Sequence, residues 1–319
     1  FSLIALSCTY QPSSTVEFYV APNGDDTNKG TLVTPFKTIE FAKQSIRNLS
    51  TEKRQQNITV YLRGGTHVLN ETVVFGLEDS GADGTKITYA AYNDETPIIS
   101  SGVKIEGWKK LKTFPETLPD VAKGNVWVAD MPKNMERFYT LFDGDKRLER
   151  TKKEGFDFKD IKYVGAKSMN VLHDKDRYLL RKLDLEGENI LKSWPNLEDI
   201  EVGFAPVPWT MNMLTLESVD EEKGEAWTVL EANAPPAAKK SHTKPWVENV
   251  IDHLDTPGQW VLNTQERKIY YWPKEGKPSG NIVAPKLKEY FKVEGKIDYE
   301  GAKDVPTKNI VFKGLTFQH

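Results

Sequence analysis

Three carboxylates gathered around an Asn and a His are the first groups in this chain with evident chemistry to offer. Glu248, Asp252 and Asp255 surround Asn249 and His253. A protonated carboxyl facing an ionised one across roughly 5 to 9.5 Å is the arrangement that cleaves a glycosidic bond. A structural reading competes: Asp255 precedes Thr256-Pro257-Gly258 and is placed to order a turn, while Glu248-Asn249 can brace a sheet. With 46 Asp plus Glu in the chain, proximity in sequence does not by itself select a pair. Other chemistries find less support. His67, His173, His242, His253 and His319 show no metal-ligand spacing, so no metal site is expected. The chain has no Gly-x-Ser-x-Gly elbow and no Walker loop, and Gly64-Gly65 lacks the spacing of a dinucleotide fingerprint. No cofactor is expected.

Elements that could hold such groups begin at Phe18. Phe18, Tyr19 and Val20 read as a short apolar strand, followed by Asn23, Gly24, Asp25, Asp26, Asn28 and Gly30, a density of turn formers that marks a tight polar loop. A helix is then expected with Thr34 as N-cap and Pro35 in its first turn, since Ile39, Ala42, Ile46 and Leu49 recur at helical spacing. Residues 57 to 105 carry short strands around Ile58-Val60-Leu62, Val68, Val73-Phe75, Ile87-Tyr89 and Ile98-Ile99, with no helix-length segment between them. A doubly wound sheet needs a crossover of about a dozen residues for each parallel pair. The choice therefore narrows to an antiparallel meander or a parallel β-helix, and an amphipathic helix able to seal the open end of a stack favours the latter. From Trp108 to about residue 290 the texture changes to Trp-, Pro- and charge-rich segments with regularly spaced turns, as in an antiparallel sandwich or barrel. Alternation of the first kind returns at Asn309 to Phe317.

The chain opens FSLIALSC, which resembles the end of a lipoprotein signal with Cys8 as the lipidated residue; an ordinary secretory signal is the alternative. Either implies export, to the cell envelope (outer membrane or periplasm) or the medium, and Cys8 is the group that would anchor the protein to a membrane. Residues 1–16 then read as a signal remnant and tether. A single Cys excludes a disulfide framework. A net charge of -3 offers no basic stripe, so nucleic acid is not expected as a partner.

The cap FYVAPNGDDTNKGTLVTPFKTIEFAKQSIR, the strand-turn ITVYLRGGTHVLNETVVF, the stretch VENVIDHLDTPGQWVLNTQERKIYYWP and the final NIVFKGLTF together resemble bacterial right-handed parallel β-helix glycoside hydrolases of the fucosidase and xylanase type, related to β-helix β-xylosidases. The resemblance implies an all-β chain: capped β-helix coils over residues 17–107, an inserted antiparallel β-sandwich over 108–290, and a return to the β-helix over 291–319. It also implies an N-terminal part of a longer, monomeric hydrolase acting on polysaccharide or oligosaccharide, with its catalytic carboxylates beyond His319 and no activity in these residues alone. His319, at the end of a solenoid strand, is a candidate for a sugar hydroxyl or else a strand cap. Trp209 and Trp246 are candidates for stacking on a glycan, with packing as the alternative. A polysaccharide lyase and a non-catalytic glycan-binding surface module are the rival readings.

Overall fold

The computed structural model describes residues 15–159, 174–187, 190–234, 236 and 243–319. Cys8 lies outside them. The chain divides into two compact units, one made of residues up to Val103 together with Pro285–His319, the other of Lys104–Ala284.

The first unit is built from short strands that pair in parallel. Its elements are β1 (Thr15–Val20), α1 (Ile39–Arg47), β2 (Asn57–Leu62), β3 (Gly65–Val68), β4 (Val73–Phe75), β5 (Ile87–Ala91) and β6 (Pro97–Ser100). After unit two the chain returns with the strands Phe291–Val293, Ile310–Lys313 and Thr316–Gln318. Three sheets result. β1, β2, β5 and Ile310–Lys313 form one, β3, β6 and Thr316–Gln318 a second, and β4 with Phe291–Val293 the third. Each pair is parallel, with Ile58 opposite Ile87 and Ile87 opposite Ile310. The chain thus passes from one sheet to the next and pairs with itself one circuit later. The pleat sends Ile58, Val60 and Leu62 inward, where they join Ile87, Tyr89, Phe75 and Ile99 in a single core. Burying each such aliphatic side chain is worth about 1.5–3 kcal/mol.

The helix starts later than its sequence pattern implies. Thr38, not Thr34, is the N-cap, accepting from the Phe41 amide at 3.1 Å. The reason is a competing sheet contact: Phe36 donates its N–H to the Tyr19 carbonyl and accepts from the Ala21 amide, which holds this stretch extended beside β1. Ile39, Ala42 and Ile46 then face the core. β3 also departs from expectation, because it buries His67 and turns Val68 to solvent.

The second unit holds a seven-stranded antiparallel sheet, in the order Lys152–Glu154, Trp246–Glu248, Glu201–Val207, Thr210–Asp220, Glu225–Thr228, Lys182–Gly187 and Phe156–Phe158. Its two edge strands are consecutive in sequence and separated by Gly155 alone, whose φ of +140° lets the chain bend from one edge to the other. Register shifts in both hairpins of its central strand add twist. A sandwich of two facing sheets is therefore replaced by one sheet nearly closed on itself, around Phe158, Leu183, Val202, Phe204, Leu216 and Val247. A five-stranded sheet, with Gln259–Asn263 and Lys268–Tyr271 at its centre, belongs to the same unit.

The turn ahead of α1 depends on one carboxylate. Asp26 Oδ1 accepts the amides of Lys37 and Thr38, both at 2.9 Å, and Oδ2 accepts the Thr38 hydroxyl. Asp26→Ala is expected to destabilise the protein by about 1–3 kcal/mol, because two backbone donors lose their partner. Asp26→Asn, which keeps the Oδ1 acceptor, should recover much of that loss; urea denaturation of the two variants provides the check.

Candidate functional site

Strand register brings the charged residues of unit two together. Glu201 sits opposite Thr215 on one side and Glu248 on the other, and Glu248 opposite Lys152. Because side chains alternate along a strand, Glu201, Glu248 and Lys152 share the face turned away from the sheet's core. Met213, Gly203 and Trp246 form the neighbouring row on that face.

Arg150 enters this face and is shared by the two glutamates. Its Nη1 lies 2.5 Å from Glu201 Oε2 and 3.6 Å from Glu248 Oε2, with all three side chains largely buried. Trp246 donates Nε1–H to Glu248 Oε1 at 2.7 Å. The indole packs against Gly203: a Cβ there would come within 2.2 Å of Trp246 Cε2, so only glycine admits the ring. Lys152 Nζ stands 4.3 Å from the ring centroid. A cleft of about 270 Å³ adjoins, lined by Arg147, Glu149, Arg150, Lys152 and Glu248. Two carboxylates bridged by one guanidinium make a structural ion triad. Bond cleavage needs an open pair with a reacting atom between them, whereas here the space between is filled by Arg150.

The remaining sequence candidates separate. Trp246 is 7% exposed, packed between Gly203 and the Lys152 ammonium group and so occupied as a packing residue. Trp209 is 79% exposed at a hairpin turn, next to the exposed Met211. His319 belongs to unit one, where Nδ1 lies 3.0 Å from Ser100 Oγ and its carbonyl accepts from Ser101 Oγ. Asp252 Oδ2 accepts from Trp194 Nε1 at 3.0 Å, and Asp255 accepts from Thr256 Oγ1 in the turn it was expected to order. Neither pairs with Glu248 across an open site. Sequence reasoning missed Arg150, which lies 51 residues from Glu201 and carries no local signal. It also missed His67, whose Nε2 contacts the Arg63 carbonyl at 2.8 Å while the buried Nδ1 has no partner. Among the described residues no cluster of three or more His, Cys, Asp or Glu could hold a metal.

No family model matches the chain. The uncharacterized protein YwoF of Bacillus subtilis (strain 168) is 39% identical over 82 residues, which is 26% of this chain and 15% of that protein. A solved structure described as a glycoside hydrolase superposes with a TM-score of 0.66 at 24% identity, covering 95% of this chain and 50% of that one. The complex of XylC with xylose covers 95% of this chain and 35% of its own at 18% identity, but a TM-score of 0.39 is too low to argue from. The chain therefore has a glycoside hydrolase-like fold and spans half the length of the glycoside hydrolase structure it matches.

Near the cluster, burial lowers the His253 imidazole from 6.5 to about 4; Asp252 and Asp255 oppose the shift, while Lys153 and Lys192 reinforce it. Burial lowers His67 as well. The unfolded chain binds these protons near the ordinary value of about 6.5, so between about 4 and 6.5 it holds more protons than the folded protein. Stability is thus complete above that window and falls as pH descends through it. Urea midpoints measured from pH 7 to pH 4 should drop less steeply in His253→Gln than in the parent, with the residual His67 contribution of the same sign. Parallel curves for the two proteins would refute the assignment.

Proposed function

We propose that this chain is the N-terminal part of an exported glycoside hydrolase, in which unit one forms the capped first coils of a right-handed parallel β-helix and unit two is an insertion. The catalytic carboxylates belong to coils that follow His319, and the substrate is a polysaccharide or oligosaccharide. One observation carries the reading. Ile310–Lys313 and Thr316–Gln318 continue two parallel sheets in register with β5 and β6, yet they are the outermost strands and leave Phe312 and Phe317 partly exposed. A further coil stacked there would bury both rings and give the row of outward side chains on which a cleaving pair can be set. The glycoside hydrolase-like fold, matched over half of that structure's length, supports the same reading. Glu201 and Glu248 share Arg150 while Asp252 and Asp255 serve Trp194 and a turn, so these four carboxylates are given no cleaving role.

Export rests on the apolar opening that precedes Cys8. Cys8 is the proposed lipid attachment point in the envelope. Intact-mass measurement of the protein from its native membrane should find a diacylglyceryl addition on Cys8, and Cys8→Ser should move the protein to the soluble fraction. A Cys8→Ser protein that stays with the membrane would exclude this anchor.

The 319 residues alone are expected to show no hydrolysis of aryl glycosides, and the chain extended through the following coils is expected to hydrolyse them. Activity in the shorter protein would place the cleaving pair within it. Calcium-dependent release of unsaturated products by the longer protein would replace hydrolysis with elimination.

A further inference from the structure

Unit two contains a second cavity, of about 230 Å³, whose lining includes none of Glu201, Glu248, Asp252 and Asp255. It lies where two packed cores meet, because Trp194, Ile200 and Val250 belong to the core of the seven-stranded sheet, whereas Val261 and Tyr270 belong to that of the five-stranded sheet. Two aromatic side chains, Trp194 and Tyr270, form part of its walls. Thr117, Asn196, Asn263 and Glu266 supply hydroxyl, amide and carboxylate groups to the same lining.

The cavity is held open by its surroundings. Trp194 is fixed by its Nε1–H bond to Asp252, and the Tyr270 hydroxyl donates to Glu266. The loops on either side are clamped: Gln265 Nε2 donates to the Pro195 carbonyl at 2.9 Å and to Glu198 at 3.1 Å. The Thr264 amide and hydroxyl both reach the buried Asp199 carboxylate at 2.7 Å, and Arg137 pairs with that carboxylate at 3.0 Å. A pocket whose loops are tied before a ligand arrives spends little binding energy on ordering them.

We propose that this cavity binds a single neutral pyranose unit. Size sets the first limit, since 230 Å³ is below the roughly 300–1,000 Å³ of sites for drug-sized ligands and suits one ring, not a chain. Chemistry sets the second. A pyranose presents apolar C–H faces and a hydroxylated edge, which match aromatic walls flanked by amide and hydroxyl groups. Charge sets the third: among the described residues no Lys, Arg or His lines the cavity, and Glu266 is the one acidic group in that lining. A uronate entering beside Glu266 would meet a like charge with no counterion. The proposal rests on the carbohydrate reading of the chain and adds a recognition site separate from any cleaving pair.

The test uses the 319-residue chain with D-galactose, L-fucose and methyl β-D-xylopyranoside as neutral probes and D-galacturonate as the charged counterpart of galactose. Saturation-transfer NMR and calorimetry should show saturable, millimolar binding of at least one neutral probe, with galacturonate at least about tenfold weaker than galactose. Thr117→Trp, made at an exposed lining position, should weaken neutral binding at least about tenfold at unchanged Tm. Glu266→Gln should narrow the gap between galactose and galacturonate, and it serves as the second variant should Thr117→Trp disturb folding. Failure of all neutral probes to saturate, equal affinity for galacturonate, or binding unaffected by both substitutions would overturn the proposal. Hydrolysis is not read in this experiment. Its failure leaves the hydrolase assignment standing, and an inactive longer protein would leave this site standing.

Discussion

Parallel pairing between short strands one circuit apart is the constraint on which unit one depends. A side-chain period of two means that a slip of one residue would turn Ile58, Val60 and Leu62 to solvent and bring Thr59 and Tyr61 inside. The same alternation must hold in β5 and again in Ile310–Lys313, which pairs with β5 after the chain has built the whole of Lys104–Ala284. The returning strand recovers its register because Ile310 and Phe312 fit against Ile87 and Tyr89. Outside the sheet, Tyr19, Tyr61 and Tyr92 pack ring to ring, adding a second set of contacts with the same spacing. A long excursion is tolerated because the closure cost of a loop grows only slowly with its length.

Unit two answers a different problem, how to tie loops between two sheets without exposing their backbone groups. Asn249 does this with a φ of +68° and a fully used amide: Nδ2 donates to the Asp199 and Leu262 carbonyls, and Oδ1 accepts the Leu262 amide. Asp199 is 2% exposed and satisfied by Thr264 and Arg137. Buried polar groups that are fully paired rigidify a site, while half-paired ones weaken it. Glu248, Asn249, Asp252 and Asp255 thus make separate local bonds, although their grouping in the sequence suggested a single reactive centre.

Strand positions in unit one were largely legible, since apolar residues at every second place, as in Ile58, Val60 and Leu62, fit the period of a strand and not the 3.6-residue period of a helix. The polar loop before α1 was legible too, because Asp25 and Asn28 make the local bonds their side chains favour. The helix start was not: Thr34 is acceptable by type, but a contact between Phe36 and β1 keeps the chain extended past it and the cap falls at Thr38. The inward face of β3 was hidden for a similar reason. A four-residue strand that begins at the second glycine of a Gly-Gly turn carries too little periodicity to set the phase, and His67 took the buried place.

By itself the sequence determined the local alphabet of this protein: where strands alternate, where turns must fall, and that a segment of different texture separates two stretches of like pattern. These follow from side-chain period and backbone sterics within a few residues. Tertiary structure decided which carboxylates meet, that Arg150 fills the space between two of them, that the seven-stranded sheet nearly closes through Gly155, and that Trp194 and Tyr270 border one cavity. Each of those facts joins residues tens of positions apart, and such meetings depend on packing and register summed over the whole unit, which no local stretch of sequence encodes.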